Sequence, residues 1–138
     1  MSEKVKTAVT FEMQGDKSYA CIVEHKFSQY GLIGYGKTAR EAEADVFDSI
    51  REYREQDGID AADIEITRRT FDVGSFFSYY PFFNVTQFAK FVGMNATQVR
   101  QYASGLRRPT AEKKEQLNRA IRHVAETFLT DSRAFGIV

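Results

Sequence analysis

The sequence predicts an α+β module over residues 1–72, followed by an all-α helix-turn-helix domain over residues 73–138. The module has the order β-β-β-α-β, with an antiparallel sheet and one covering helix. Three observations carry this reading. Apolar residues alternate with period two at the start of the chain, then recur at helical spacing after Thr38. No strand-like run follows Val73. Beyond it, Asn84 and Asn95 each open a helical pattern, with Gly93 between them.

The elements follow in order. Val5, Thr7, Val9, Phe11 and Met13 alternate with polar neighbours, as on a half-buried strand. Gln14 to Ser18 reads as a turn, with Gly15 the residue suited to positive φ. Tyr19 to Glu24 is the second strand of a hairpin, and Leu32 to Tyr35, between Gly31 and Gly36, is a third. Thr38-Ala39-Arg40-Glu41 is a capping box. Ala39, Ala42, Val46, Ile50 and Tyr53 then mark an amphipathic helix from Ala39 to about Glu55, ended by Gly58. Ile64 to Thr67 is the fourth strand.

In the second half, SFFSYYPFF (75–83) holds six rings in nine positions. Phe76, Phe77 and Tyr80 have the spacing of one buried face on a two-turn helix stopped by Pro81. Core packing across the helix-turn-helix is the reading taken. A homodimer interface and a base-stacking platform are the alternatives. The stretch has no Lys or Arg to hold phosphates, which opposes the platform. Asn84 and Asn95 are N-caps with Gln at the third helical position, Gln87 and Gln98. Thr110 caps a last helix. Its Leu117, Ala120, Ile121, Val124, Ala125, Phe128 and Leu129 make one apolar stripe.

Composition narrows the function. Net charge is zero over 138 residues. Residues 1–74 nevertheless hold 10 Lys+Arg against 15 Asp+Glu, and residues 75–138 hold 9 against 4. The basic half is where an anionic partner would bind. No apolar run is long enough to span a bilayer, and MSEKVKTAV lacks the apolar block of a signal peptide, so a cytoplasmic protein without membrane partners is expected. Cys21 stands alone, on a strand, and reads as a buried inert thiol. His25 and His123 lie in separate modules, and no Cys/His cluster or Gly-rich phosphate loop occurs. The carboxylates of the first helix, from Glu41 to Glu55, spread around a solvated face. No enzyme activity, metal or cofactor is expected.

Two helices joined by a Gly turn make a helix-turn-helix. Ala89 is the small residue at their crossing, Gly93 serves the turn, and Val99 anchors the second helix. Phe88, Val92, Met94 and Tyr102 complete the buried side. Thr97, Gln98, Arg100 and Gln101 remain on the exposed part of the second helix, where a recognition helix meets base edges in the major groove. Arg107 and Arg108 follow that helix. With Asn84, Gln87, Asn95 and Lys113 they are the candidate phosphate contacts.

FNVTQFAKFVGMNATQVRQYASGLRRPT resembles the DNA-binding helices of the lambda-repressor-like, or Xre-type, family through Ala89, Gly93, Val99, Tyr102, Gly105, Arg107 and Pro109. The likeness covers roughly residues 73–130. Over about residues 4–70 the chain resembles the HicB antitoxin domain, with Gly31, Gly36, Thr38, Glu41 and Ala42 on that family's positions. The two resemblances together imply an antitoxin and autorepressor of a HicAB-like toxin–antitoxin operon. Its partners would be double-stranded operator DNA, a small basic RNA-cleaving HicA-like toxin, and further copies of the chain in a homodimer or higher even oligomer. The alternatives are a solitary HicB-like regulator and a protein-interaction module whose helical half only dimerises. An RNA binder that stacks bases on Tyr19 and Phe11 is a third possibility, opposed by the acidic charge of that half.

Overall fold

The computed structural model describes residues 5–24, 31–57 and 64–138, with backbone alone for 53–57. The stretch from His25 to Tyr30 and the helix stop at Gly58 lie outside the described residues, as does the side chain of Tyr53. The elements are β1 (Val5–Met13), β2 (Tyr19–Val23), β3 (Ile33–Gly36), α1 (Ala39–Asp57), β4 (Ile64–Phe71), α2 (Val73–Tyr79), α3 (Val85–Phe91), α4 (Ala96–Ala103) and α5 (Ala111–Ser132). They form two compact units, Met1–Phe83 and Asn84–Val138.

The first unit is built on one sheet with the strand order β3-β2-β1-β4. β1 and β2 are an antiparallel hairpin with Phe11 opposite Cys21, and β3 pairs antiparallel with β2. The hairpin turn departs from expectation. Lys17, not Gly15, takes the left-handed conformation, with φ 68°. The Lys17 N–H donates to the Gln14 carbonyl at 3.0 Å, and Asp16 Oδ1 accepts from the Ser18 N–H and hydroxyl. That is a three-residue loop whose last position carries the positive φ.

Thr38 caps α1 by accepting from the Glu41 N–H at 3.1 Å, and the Glu41 carboxylate reaches back to the Lys37 N–H at 2.9 Å. The helix lies very close to β3. A Cβ on Gly34 would overlap the Ala42 carbonyl oxygen, and one on Gly36 would lie 2.5 Å from Glu41 Cβ. Ala39, Ala42, Val46 and Ile50 of α1 meet Val9, Phe11, Cys21, Val23 and Leu32 in the core. Each large apolar side chain buried there contributes about 1.5–3 kcal/mol. Among the described residues, three further carboxylates of α1 each have their own partner. Asp45 accepts from the Tyr35 N–H, Asp48 pairs with Arg51, and Glu43 pairs with Arg69 at 2.7 Å.

The expected fold class requires correction. The chain is a mixed α/β structure with a four-stranded sheet and five helices among its described residues, not an antiparallel β-β-β-α-β module followed by an all-α helix-turn-helix domain. The sheet is mixed because β4 runs parallel to β1, with Val5 opposite Ile64 and Phe11 opposite Phe71. A helical crossover such as α1 returns the chain to the same end of the sheet, so the next strand runs parallel to the one before the helix.

The second part of the correction concerns α2, expected to pack across the helix-turn-helix. It belongs to the first unit. Asp72 caps α2, accepting from the Ser75 N–H at 2.8 Å, and its other oxygen accepts from the Met13 N–H at the end of β1, at 2.7 Å. Ser78 Oγ accepts from the Ala39 N–H, Arg40 Nε donates to the Tyr79 carbonyl at 2.6 Å, and the Tyr79 hydroxyl donates to Glu43 at 3.0 Å. The Arg40 guanidinium also sits 4.2 Å from the centre of the Tyr79 ring. Burial and the Glu43 carboxylate both raise the Tyr79 pKa. Three rings of SFFSYYPFF, those of Phe76, Tyr79 and Tyr80, therefore pack on the sheet through Phe71. Tyr79 stands edge-on to Phe11 and Phe71, and Phe76 packs on Phe71. Phe77 and Tyr79 are buried, whereas Phe76 and Tyr80 are half-buried, and Phe82 is 75% exposed. Phe11 is 0% exposed and stacks on Phe71, so it presents no ring to an incoming base.

Candidate nucleic-acid interface

α3 and α4 are short helices, and neither forms stably alone at such lengths. Local signals set their ends. Asn84 Oδ1 accepts from the Gln87 N–H at 3.0 Å, and Asn95 Oδ1 accepts from the Gln98 N–H at 2.9 Å. Gly93 carries the turn with φ 75°. The Met94 N–H donates to the Ala89 carbonyl at 2.8 Å and the Gly93 N–H to the Lys90 carbonyl at 3.3 Å, the paired bonds of a Schellman ending. α4 closes on Gly105, φ 78°, whose N–H donates to the Tyr102 carbonyl.

The residues expected to pack this pair are largely buried. Phe88, Ala89, Met94, Val99 and Tyr102 lie inside, with Ala89 and Val99 at 0% exposure. Val92 is half-buried and Gly93 is at the surface. Leu117 and Ala120 of α5 are buried, and Ile121 and Val124 are half-buried. The stripe on α5 does not stay covered. Ala125, Phe128 and Leu129 are exposed, and Phe128 meets the exposed ring of Phe135 edge-on.

The expected base contacts sit on the outer side of α4, with Thr97 and Arg100 exposed and Gln98 and Gln101 half-buried. Thr97 and Arg100 are joined, since Arg100 Nη2 donates to Thr97 Oγ1 at 3.1 Å. Arg100 Nη1 donates to Thr86 Oγ1 on α3 at 2.9 Å. Thr86 was not among the residues singled out from the sequence. This contact depends on how α3 crosses α4, and periodicity carries no signal of it.

The expected phosphate contacts are placed differently. Asn84, Gln87, Asn95, Arg107 and Arg108 are exposed. The side-chain oxygens of Asn84 and Asn95 serve their caps, which leaves their amide N–H groups to donate. Arg107 and Arg108 follow the Gly105 turn, at the opposite end of α4 from Thr97. An eight-residue helix separates these ends by about 12 Å. Lys113 is half-buried and its ammonium donates to Gln116 Oε1 at 3.3 Å. Among the described residues, no carboxylate pairs with Arg100, Arg107 or Arg108. A groove of about 320 Å³ beside this pair is lined by Phe91, Met94, Arg119 and His123, with the His123 ring stacked on Phe91 at 6.3 Å.

Among the described residues, no three His, Cys, Asp or Glu side chains gather as a metal site, and no helix is long and apolar enough to cross a membrane. Comparison with protein-family models, with curated proteins and with solved structures gave no match to this chain.

Proposed function

We propose that the chain is a cytoplasmic, sequence-specific DNA-binding antitoxin that represses its own operon. In this reading α4 enters the major groove, Thr97, Gln98, Arg100 and Gln101 face base edges, and Arg107 and Arg108 hold phosphates. The observation that carries it is the pair of Asn-capped helices around Gly93, with Val99 and Tyr102 inside and four side chains suited to base reading, Thr97, Gln98, Arg100 and Gln101, on the outer side of α4. The Asn84–His123 stretch supports it with 8 basic residues against 2 acidic ones. Dimeric binding is part of the proposal, because one short helix reads few base pairs and two-fold symmetry doubles the site. The first unit, which resembles HicB, would mask a small basic HicA-like toxin, and its net −5 charge suits such a partner.

The test is fluorescence anisotropy with labelled duplex from upstream of the chain's own coding sequence and with a shuffled duplex, at about physiological salt. Specific binding is expected at least about 1,000-fold tighter than binding to the shuffled duplex. Equal, weak, salt-sensitive binding to both would favour a second reading, in which the helical half only joins copies of the chain. Exposure of Phe128 at 66% and Leu129 at 59% favours that second reading.

A further inference from the structure

We infer that Thr86 is a positioning residue for Arg100, and that it sets sequence discrimination at the base pair Arg100 reads. The inference deepens the DNA-binding reading above and rests on it. Thr86 lies in the first turn of α3, half-buried, and its hydroxyl accepts from Arg100 Nη1 at 2.9 Å. Thr97 takes Nη2 from the same helix as Arg100. Two hydroxyls on two helices thus hold one exposed guanidinium.

Both acceptors are neutral, so the side chain keeps its full positive charge. A guanidinium has five N–H donors, and three remain after these two bonds. A pair of these suffices for the bidentate contact to guanine O6 and N7. A free arginine loses much rotamer freedom when it docks. One already held in place loses less, which favours the geometry that is held over others. Thr86 would therefore act on sequence preference without touching DNA. A role confined to strapping α3 to α4 would appear in stability and in all duplexes alike.

The experiment uses the full chain, a duplex selected from a random-sequence pool on the immobilised protein, single-base variants of that duplex, and a shuffled control. Thr86→Val removes the hydroxyl at nearly constant shape. It is expected to lower the ratio of selected to shuffled affinity by about tenfold, with the loss confined to one base pair per half-site. Affinity for the shuffled duplex stays unchanged, and Thr86→Ser keeps the ratio. In an Arg100→Ala background, Thr86→Val has no further effect. An unchanged ratio in Thr86→Val, an equal loss for both duplexes, or a full additional loss in the Arg100→Ala background overturns the inference. NMR relaxation of the Arg100 Nε–H reads the clamp independently of DNA, and an equally ordered group in Thr86→Val overturns it as well. If the wild-type chain shows no sequence preference, the DNA-binding reading itself fails and the positioning role falls with it, whatever the relaxation shows.

Discussion

Cys21 illustrates what one residue's surroundings decide. It is 0% exposed, packed under α1 with Phe11 and Val23. Burial pushes its thiol pKa up to about 12, and the nearby Glu43 carboxylate acts in the same direction. A thiolate is the reactive form, so the folded protein should resist thiol reagents at pH 8, with labelling limited by unfolding. The same shift has a sign for stability. The unfolded thiol ionises near pH 9.0 while the folded one stays neutral, so this contribution is complete below pH 9 and is lost as pH rises toward 12. Tyr79 adds a loss of the same sign in the alkaline range, because its pKa is also raised. Urea denaturation at a series of alkaline pH values should give a shallower fall for Cys21→Ala than for the wild type. Equal slopes would show that the thiol ionises freely in the folded state.

At the scale of elements, the contact between α1 and β3 is the most sharply constrained. Gly34 leaves no room for a methyl group, since Val46 Cγ2 and Val46 N would both lie 2.7 Å from it. Backbone cannot give way cheaply, so Gly34→Ala is expected to destabilise by about 3 kcal/mol. Gly31→Ala, with nothing within 4 Å, should change stability by no more than about 0.5 kcal/mol. Denaturation midpoints of the two variants check this directly.

The sequence pattern emphasised Gly31 and Gly36, yet the close approach is made at Gly34 and Gly36. That difference marks what was legible in the sequence. The caps at Thr38, Asn84, Asn95 and Thr110 and the turn at Gly93 were readable because each is settled within a few residues. The parallel pairing of β4 and the attachment of α2 were not. They depend on bonds such as Met13 to Asp72, 59 residues apart, and Ala39 to Ser78, 39 residues apart. At the candidate interface the exposed and buried sides of α4 follow from helical periodicity. The link from Thr86 to Arg100 does not, because it spans two helices.

Over the whole molecule, charge is divided as the compact units are. Residues 75–83 carry none, so Met1–Phe83 has a net charge of −5 and Asn84–Val138 of +5. Basic residues in the two units are also used differently. Arg69 is bound to Glu43 and helps join β4 to α1, whereas Arg107 has no carboxylate partner among the described residues. An unpaired surface guanidinium that meets a phosphate releases condensed counterions, and it does so on any duplex sequence. Arg107→Ala is therefore expected to weaken selected and shuffled duplexes by the same factor, and to lower the slope of log affinity against log salt by about 1. Arg69→Ala should leave that slope unchanged and lower thermal stability instead, since it strips Glu43 of its ion-pair partner. Anisotropy titrations at four or so salt concentrations, with both duplexes and both variants, separate these effects. If Arg107→Ala altered the preference between duplexes while leaving the salt slope intact, Arg107 would read bases alongside the side chains of α4, and its assignment to phosphate would be wrong.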